Sequence, residues 1–360
     1  MLSWVLIIGG LIIVAIVLLD VLWSTISTNG GGPMTMAVTI GCWKVARGLF
    51  LRLEYHRILM TNAAVILVLT FLAWVVPMWL GWTMVFSAVD EAVIHQMTGE
   101  PAGLADRAYF SAMVFLTLGT GDLVADAGGW RLLSTVAALN GLVVITLTIT
   151  YLISVLAAVM EKRRLALLIN AMGTTASDIV TNGWDGEDFD VLEDQLYDIA
   201  ARLTLHAERH LAYPVLQYFH PRDDNAALPP ALARLDDTTT LLSRCVEENA
   251  RPNEATLQIL RGAIDVYLDR VQLAHLSEVK THPPTPDIDA LDVSGVPVCE
   301  YRICREAFAS RTDRRTTLCG LLQAEGWSWP GDRGQKAEDR RQRTEDGRQR
   351  TEDRNRGVRS

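Results

Sequence analysis

The chain has 360 residues and a mass of 39.8 kDa, room for two ordinary domains. Hydrophobic residues make up 49% and charged residues 21%, with a mean hydropathy of +0.18. The apolar residues crowd into the first 160 positions and charge gathers in the last 60, which excludes a uniformly globular or wholly disordered chain and points to a membrane part joined to a soluble part. The net charge of −9 and pI near 5.3 argue against nucleic acid as the main partner, because nucleic-acid binding needs a cationic surface. Cys42, Cys245, Cys299, Cys304 and Cys319 are odd in number and irregular in spacing. They suggest neither a disulfide framework nor a zinc site, only reduced thiols in a cytoplasmic compartment.

Three stretches are long enough to cross a bilayer. The first runs from Leu2 to about Leu19 and ends at Asp20, giving a first membrane helix within 1–24. A signal peptide is the alternative, but there is no basic start and no small-x-small cleavage site follows. The second span runs over 58–89 without a charge inside it, and the third over 131–160, stopping at Glu161-Lys162-Arg163-Arg164. Lys44, Arg47, Arg52 and Arg57 lie between the first two spans, and Lys162 to Arg164 follow the third. By the excess of cytoplasmic Lys and Arg, both segments face the cytoplasm. The N-terminus is then outside, the C-terminal part inside, and the acidic connection holding Asp90, Glu91, Glu100 and Asp106 outside.

Residues 25–57 read as a cytoplasmic linker. Asn29-Gly-Gly-Gly-Pro33 is a flexible turn, since no Lys-Ser/Thr follows that would make it a phosphate loop. Trp43, Ala46, Phe50 and Leu53 then recur at helical spacing, as in a helix lying on the inner membrane surface.

Residues 106–122 carry the chemistry. Asp106 is placed to N-cap a helix of about three turns ending near Leu116. That helix is too apolar for a solvated loop and too short to cross the bilayer, so it dips in and returns as extended chain. Non-helical backbone at membrane depth persists only where it is buried in protein or lines water. In Thr117-Leu118-Gly119-Thr120-Gly121-Asp122 the glycines let left- and right-handed conformations alternate, so that successive carbonyls point to one side. Four copies around an axis would stack rings of oxygens able to replace the hydration shell of a monovalent cation. The Thr117 hydroxyl adds a ring, the helix turns its negative end toward the pore centre, and Asp122 concentrates cations outside.

This stretch resembles the pore module of potassium channels: outer helix, pore helix, a Thr-Val-Gly-Tyr-Gly-Asp filter and inner helix. Thr117, Gly119, Gly121 and Asp122 agree, Leu118 replaces Val, and Ser111 falls where the family often has a serine. The resemblance covers roughly Ile58 to Arg164. It implies an all-α membrane protein with a potassium-channel-like pore module, which by the apolar pattern follows one extra transmembrane helix and precedes a cytoplasmic helical domain. It also implies a homotetramer in the bilayer with K+ as permeant ion, and Na+ as a second possibility. Thr120 stands where the family has its width-setting tyrosine, with Tyr109 and Phe110 as the remaining aromatic partners. Met113 stands where some members have a glutamate pairing with the filter aspartate. Both departures imply weaker discrimination between potassium and sodium. Gly141, 20 residues after Gly121, falls at the distance of the family's hinge glycine, although a close helix contact explains it too. Leu142, Thr146, Ile149, Thr150 and Ile153 form one stripe, and the hydroxyls of Thr146 and Thr150 either face a hydrated cavity or bond back to their own helix. Asn140 needs a polar partner.

The remainder reads as a cytoplasmic helical domain over 165–282, with helices from Phe189 to Leu211, Leu228 to Asn249 and Asn253 to Val279. No Gly-x-Gly-x-x-Gly follows a strand, and neither a cyclic-nucleotide-binding pattern nor a nucleophile spacing occurs, so no enzyme is expected and the cytoplasmic ligand or partner stays unnamed. His206 and His210, four apart, read as helix-surface histidines, with metal binding the lesser alternative. Residues 283–360 read as a proline-containing linker and a disordered charged tail with a repeated Gln-Arg-Thr-Glu-Asp. The abrupt change near Cys299 suggests altered or read-through coding sequence. From another class, the chain could be a membrane-anchored sensor or scaffold acting through its helical domain.

Overall fold

The computed structural model describes residues 1–28, 30–53, 57–119, 121–126, 128–221, 223–271 and 283–330. The chain divides into two compact units: residues 1–159 with 209–220, and residues 160–208 with 221 onward.

The first unit is an all-α membrane assembly. Helices α1 (Leu2–Ile26), α3 (Arg57–Phe86) and α5 (Gly129–Met172) are long and apolar enough to span a membrane. The chain is thus a multi-pass membrane protein. Along α3, Trp74, Met78, Trp82, Val85 and Phe86 recur every three or four residues and are buried, forming the apolar stripe a packed helix needs. Helices α1 and α3 cross at paired glycines. A Cβ on Gly10 would lie 2.5 Å from the Gly81 carbonyl oxygen, and one on Gly81 would lie 2.9 Å from that of Gly10. Small residues permit this approach, and dispersion and close packing hold it where lipid offers no hydrophobic drive.

Asp20 does not end the first span. It lies inside α1 at 3% exposure, and α1 runs on to Ile26. Its carboxylate accepts from the Trp74 indole (2.9 Å), the Met34 amide (2.7 Å), the Thr35 amide (3.3 Å) and the Thr35 hydroxyl (2.9 Å). Met34 and Thr35 open α2 (Pro33–Leu53), so Asp20 caps that helix from 14 residues away and sits at its positive end. The glycine run has a steric reason, since a Cβ on Gly32 would stand 2.3 Å from an Asp20 oxygen. On α2, Thr35, Thr39 and Ala46 are buried, while Lys44 and Arg47 are exposed. Trp43 stacks on His220 and packs against Tyr218. The side chains of Phe50 and Leu53 lie outside the described residues.

Residues 209–220, expected within the helical domain, join the membrane unit: Val215, Leu216 and Tyr218 share its core, and Tyr213 meets Tyr151 of α5 edge-on. Helix α5 continues twelve residues past Met160, because Glu161 to Arg164 mark a charge boundary and not a helix stop.

The second unit is helical. α6 (Ala176–Gly183) is followed by α7 (Asp190–Ala212), which ends before Pro214 as expected. α8 (Leu228–Thr240) is buried along its whole length and passes into a wider turn, Leu241–Cys245, so the helix expected to reach Asn249 stops earlier. α9 (Glu254–Arg270) ends before Val271, and the rest of the helix expected there lies outside the described residues. His206 and His210 are buried in α7, not on its surface, and His206 stacks on Tyr267. Among the described residues no cluster of three metal-ligating side chains forms.

The largest correction concerns residues 283–330. They are no linker. α10 (Asp289–Val293), α11 (Tyr301–Ala309) and α12 (Thr312–Ala324) contribute Leu291, Cys304, Phe308, Leu318 and Leu322 to the core, and Trp327 and Trp329 join it just beyond α12. Arg314 pairs with Asp236 at 2.7 Å and with Asp265. Arg315 holds Asp237 through two bonds, at 2.8 and 3.0 Å, and packs against the rings of Phe308 and Trp329. The repeats after Gly331 lie outside the described residues.

Candidate functional site

The site is built on α4 (Leu104–Phe115), whose start is fixed twice. Gly103 is the N-cap, and Asp106, three residues later, accepts back from the Gly103 amide at 3.3 Å. Asp106 is therefore the inner half of a capping arrangement and not the cap itself. Arg107, 8% exposed, reaches across to Asp90 and donates to its carboxylate at 3.0 Å and its carbonyl at 3.2 Å. Along the shaft the Trp79 indole donates to the Ala108 carbonyl at 2.9 Å, and Phe110 meets Phe86 edge-on at 5.2 Å. Phe110 thus packs against the outer helix, while Tyr109 is exposed. Ser111 is buried and donates to its own helix at Arg107.

The end of α4 sets the shape of the turn beyond it. Thr117 donates its amide to Val114 at 3.0 Å and Leu118 donates to Met113 at 2.9 Å. This pair of bonds closes a helix around a left-handed residue, a seat that glycine commonly takes. Here it is Thr117, with φ of +57°. A β-branched side chain in that region costs on the order of 1–3 kcal/mol and needs its surroundings to hold it. Gly119 is also left-handed, at φ +78°, with Leu118 between them in the ordinary half of backbone space. Left-handed backbone therefore falls on Thr117 and Gly119, and Gly121, expected to share it, does not. Thr120 lies outside the described residues.

Leu116 to Gly119 and Gly121 to Asp122 are exposed, Leu118 at 66%. Among the described residues no hydrogen bond is made to the carbonyl oxygens of Thr117, Leu118, Gly119 or Gly121. The outer end of the arch is pinned by a small ribbon that the sequence pattern does not reveal: β1 (Val93–His95) pairs antiparallel with β2 (Leu123–Ala125), and the Gln96 amide donates to the Asp122 carbonyl at 2.9 Å. The Asp122 side chain stays exposed.

Behind the arch, α5 touches α4 at Gly141. A Cβ there would fall 1.7 Å from the Phe115 carbonyl oxygen, so only glycine allows this approach. Of the two roles considered for Gly141, the close contact is the one the packing displays. Thr146 and Thr150 donate to Leu142 and Thr146 of their own helix at 2.8 and 3.0 Å. Their stripe is solvent-facing in a single chain, with Leu142 at 55%, Ile149 at 53% and Ile153 at 62% exposure. Local pattern does not signal Gln96, Arg107 or Asp20. For Asp20 a clue exists, since an acid inside an apolar run needs an internal partner.

A re-entrant helix and exposed turn between two membrane helices define an ion-channel pore module. In agreement, a family model described as ion channel matches residues 64–158. Over 325 residues the chain is 33% identical to the uncharacterized membrane protein YdjJ of Bacillus subtilis (strain 168), covering 90% of this chain and 95% of that protein. The chain belongs to the same family as that membrane protein. Similarity over 90% of the chain necessarily runs through Cys299, which agrees with the packed helices found beyond it. No solved structure matches the chain.

Proposed function

We propose that the chain is one subunit of a homotetrameric channel that passes monovalent cations, with potassium as permeant ion, between backbone oxygens of Thr117, Leu118, Gly119, Thr120 and Gly121. The observation that carries this reading is the row of carbonyls at Thr117, Leu118, Gly119 and Gly121, without hydrogen-bond donors among the described residues, on an exposed arch of an apolar unit. Oxygens so placed at membrane depth need water or an ion. One chain supplies a quarter of each ring, and a closed rotational assembly supplies the rest. Asp122 and the negative end of α4 favour a cation at the two ends of the arch. Contact of Gly141 with Phe115 would carry a movement of α5 to the support of the filter, which supports α5 as the gating helix. The Thr146 and Thr150 hydroxyls, though donating to their own helix, keep lone pairs that can accept from cavity water. Lys and Arg placement puts the N-terminus outside and the C-terminus inside the cell membrane.

Thr120 in place of tyrosine and Met113 in place of glutamate favour a second reading within the same class, a weakly selective sodium/potassium pore. A scaffold acting through the helical unit is the alternative from another class. Purified protein in planar bilayers with sodium/potassium gradients separates all three. A reversal potential near zero removes the potassium preference alone, and the absence of current under every condition removes the channel. Gly119→Ala sharpens the test. No atom lies within 4 Å of the added methyl, so its burden is the left-handed backbone, roughly 1–2 kcal/mol. A channel then still assembles but loses conduction, whereas a scaffold is unaffected.

A further inference from the structure

A cavity of about 440 Å³ lies wholly within the helical unit. Its volume is within the range of small-ligand sites. Four arginines converge on it from separate segments: Arg244 in the turn after α8, Arg251 in the following loop, Arg261 on α9 and Arg311 at the start of α12. Glu248 and Glu254 are the acids among its lining, so positive charge is in excess, in a chain whose net charge is −9.

None of the four guanidinium groups forms an ion pair among the described residues. Arg251 donates to the Val246 carbonyl at 2.8 Å and to the Cys299 sulfur at 3.8 Å, and Arg261 donates to the Thr240 hydroxyl at 3.4 Å. These neutral acceptors orient two of the forks without neutralising them. The Arg261 guanidinium is held below its usual range by burial, with Arg311 and Arg314 adding to this and Asp236 and Asp265 acting against it. Arg314 and Arg315 of α12 are matched to carboxylates, Arg314 to Asp236 and Arg315 to Asp237, whereas the four around this cavity are not. Against the two glutamates, the four guanidinium groups leave an excess of positive charge around this hollow that a bound anion would offset. Arginine forks suit phosphate oxygens, which accept two parallel bonds from each.

We propose that this cavity binds an anion carrying two or more phosphate groups, held by Arg244, Arg251, Arg261 and Arg311. A free polyphosphate or nucleotide and the headgroup of a doubly phosphorylated lipid share this chemistry. The site stands or falls independently of the pore reading, because its test reads binding and not current.

The test uses the full chain in detergent, titrated calorimetrically with tripolyphosphate and with ATP. In parallel it is mixed with phosphatidylcholine vesicles with and without cardiolipin. Saturable binding of tripolyphosphate or ATP is expected, weakening as salt rises, and the double substitution Arg244→Ala with Arg311→Ala should weaken it by about tenfold or more. The ligand-free melting temperature of that variant reports folding. If the variant does not fold, Arg244→Gln alone, on an exposed side chain, gives the same comparison. Binding confined to cardiolipin vesicles, and lost in the variant, assigns the lipid headgroup as source. Absence of saturable binding in every arm, or binding unchanged by the substitutions, overturns the proposal.

Discussion

In the membrane unit Asp20 is buried with no cation beside it among the described residues, whereas in the helical unit Asp236 and Asp237 are each met by an arginine. The donors to Asp20 are an indole, a hydroxyl and two amides at the start of α2. They are neutral, and their value lies in geometry: one carboxylate fixes α1, α2 and α3 together, with the partial positive charge of a helix end in place of an ion. On α8 burial is complete, and the Asp237 carboxyl is pushed up by burial while Arg315 pulls it down. There a full countercharge is supplied from α12, 78 residues away. Burying an acid thus has two solutions, and the choice depends on the surroundings. Near lipid, a second desolvated ion is avoided. In a packed helical core, an ion pair ties distant segments to each other.

This contrast can be broken by substitution. The largest loss is expected from Arg315→Ala, which strands Asp237 inside the core and should cost about 3–5 kcal/mol. Thermal melting of the full chain in detergent reads it, and a shift no larger than that of a surface substitution would mean the pair is not structural. Asp20→Ala should come next, leaving buried donors unmatched at about 1–3 kcal/mol. Asp20→Asn keeps an acceptor oxygen and should cost less than Asp20→Ala. Equal losses for the two would show that charge, and not acceptor geometry, holds the three helices, and the contrast with Asp237 would vanish. The smallest effect belongs to Asp178, the capping partner of Thr175 at the start of α6. Burial raises its pKa, but bonds from Thr174 and Thr175 outweigh that and leave it below its ordinary 3.8. The carboxylate's stabilisation is present above pH 3.8 and disappears as pH falls through the lower folded value. Asp178→Asn should cost about 0.5–1 kcal/mol at neutral pH, solvent screening included, and the gap to the parent chain should close in acid.

Much of the pore unit is legible in the sequence because its signals are local. Hydropathy marks three spans, and α4 ends within one residue of the expected position and begins three residues earlier than expected. Asp20 misleads because an acid after an apolar run looks like the end of a span. Its partners lie 14, 15 and 54 residues away, beyond any local pattern. The segment after Cys299 misleads for a similar reason. Its charges look like solvated surface until Arg314 and Arg315 meet Asp236 and Asp237. In the arch, glycine is the visible sign of left-handed backbone, so a threonine in that role is invisible.

Thr117 has one further consequence. Glycine would sit in that place at ease, yet the chain carries a branched residue whose preference lies elsewhere. A peptide cut out of this region would relax away from the shape it has here, so the shape belongs to the surroundings and not to the segment. On the proposed pore reading, Thr117→Gly should therefore give a sturdier chain and a poorer channel, so that ease of folding and fitness for work pull in opposite directions there.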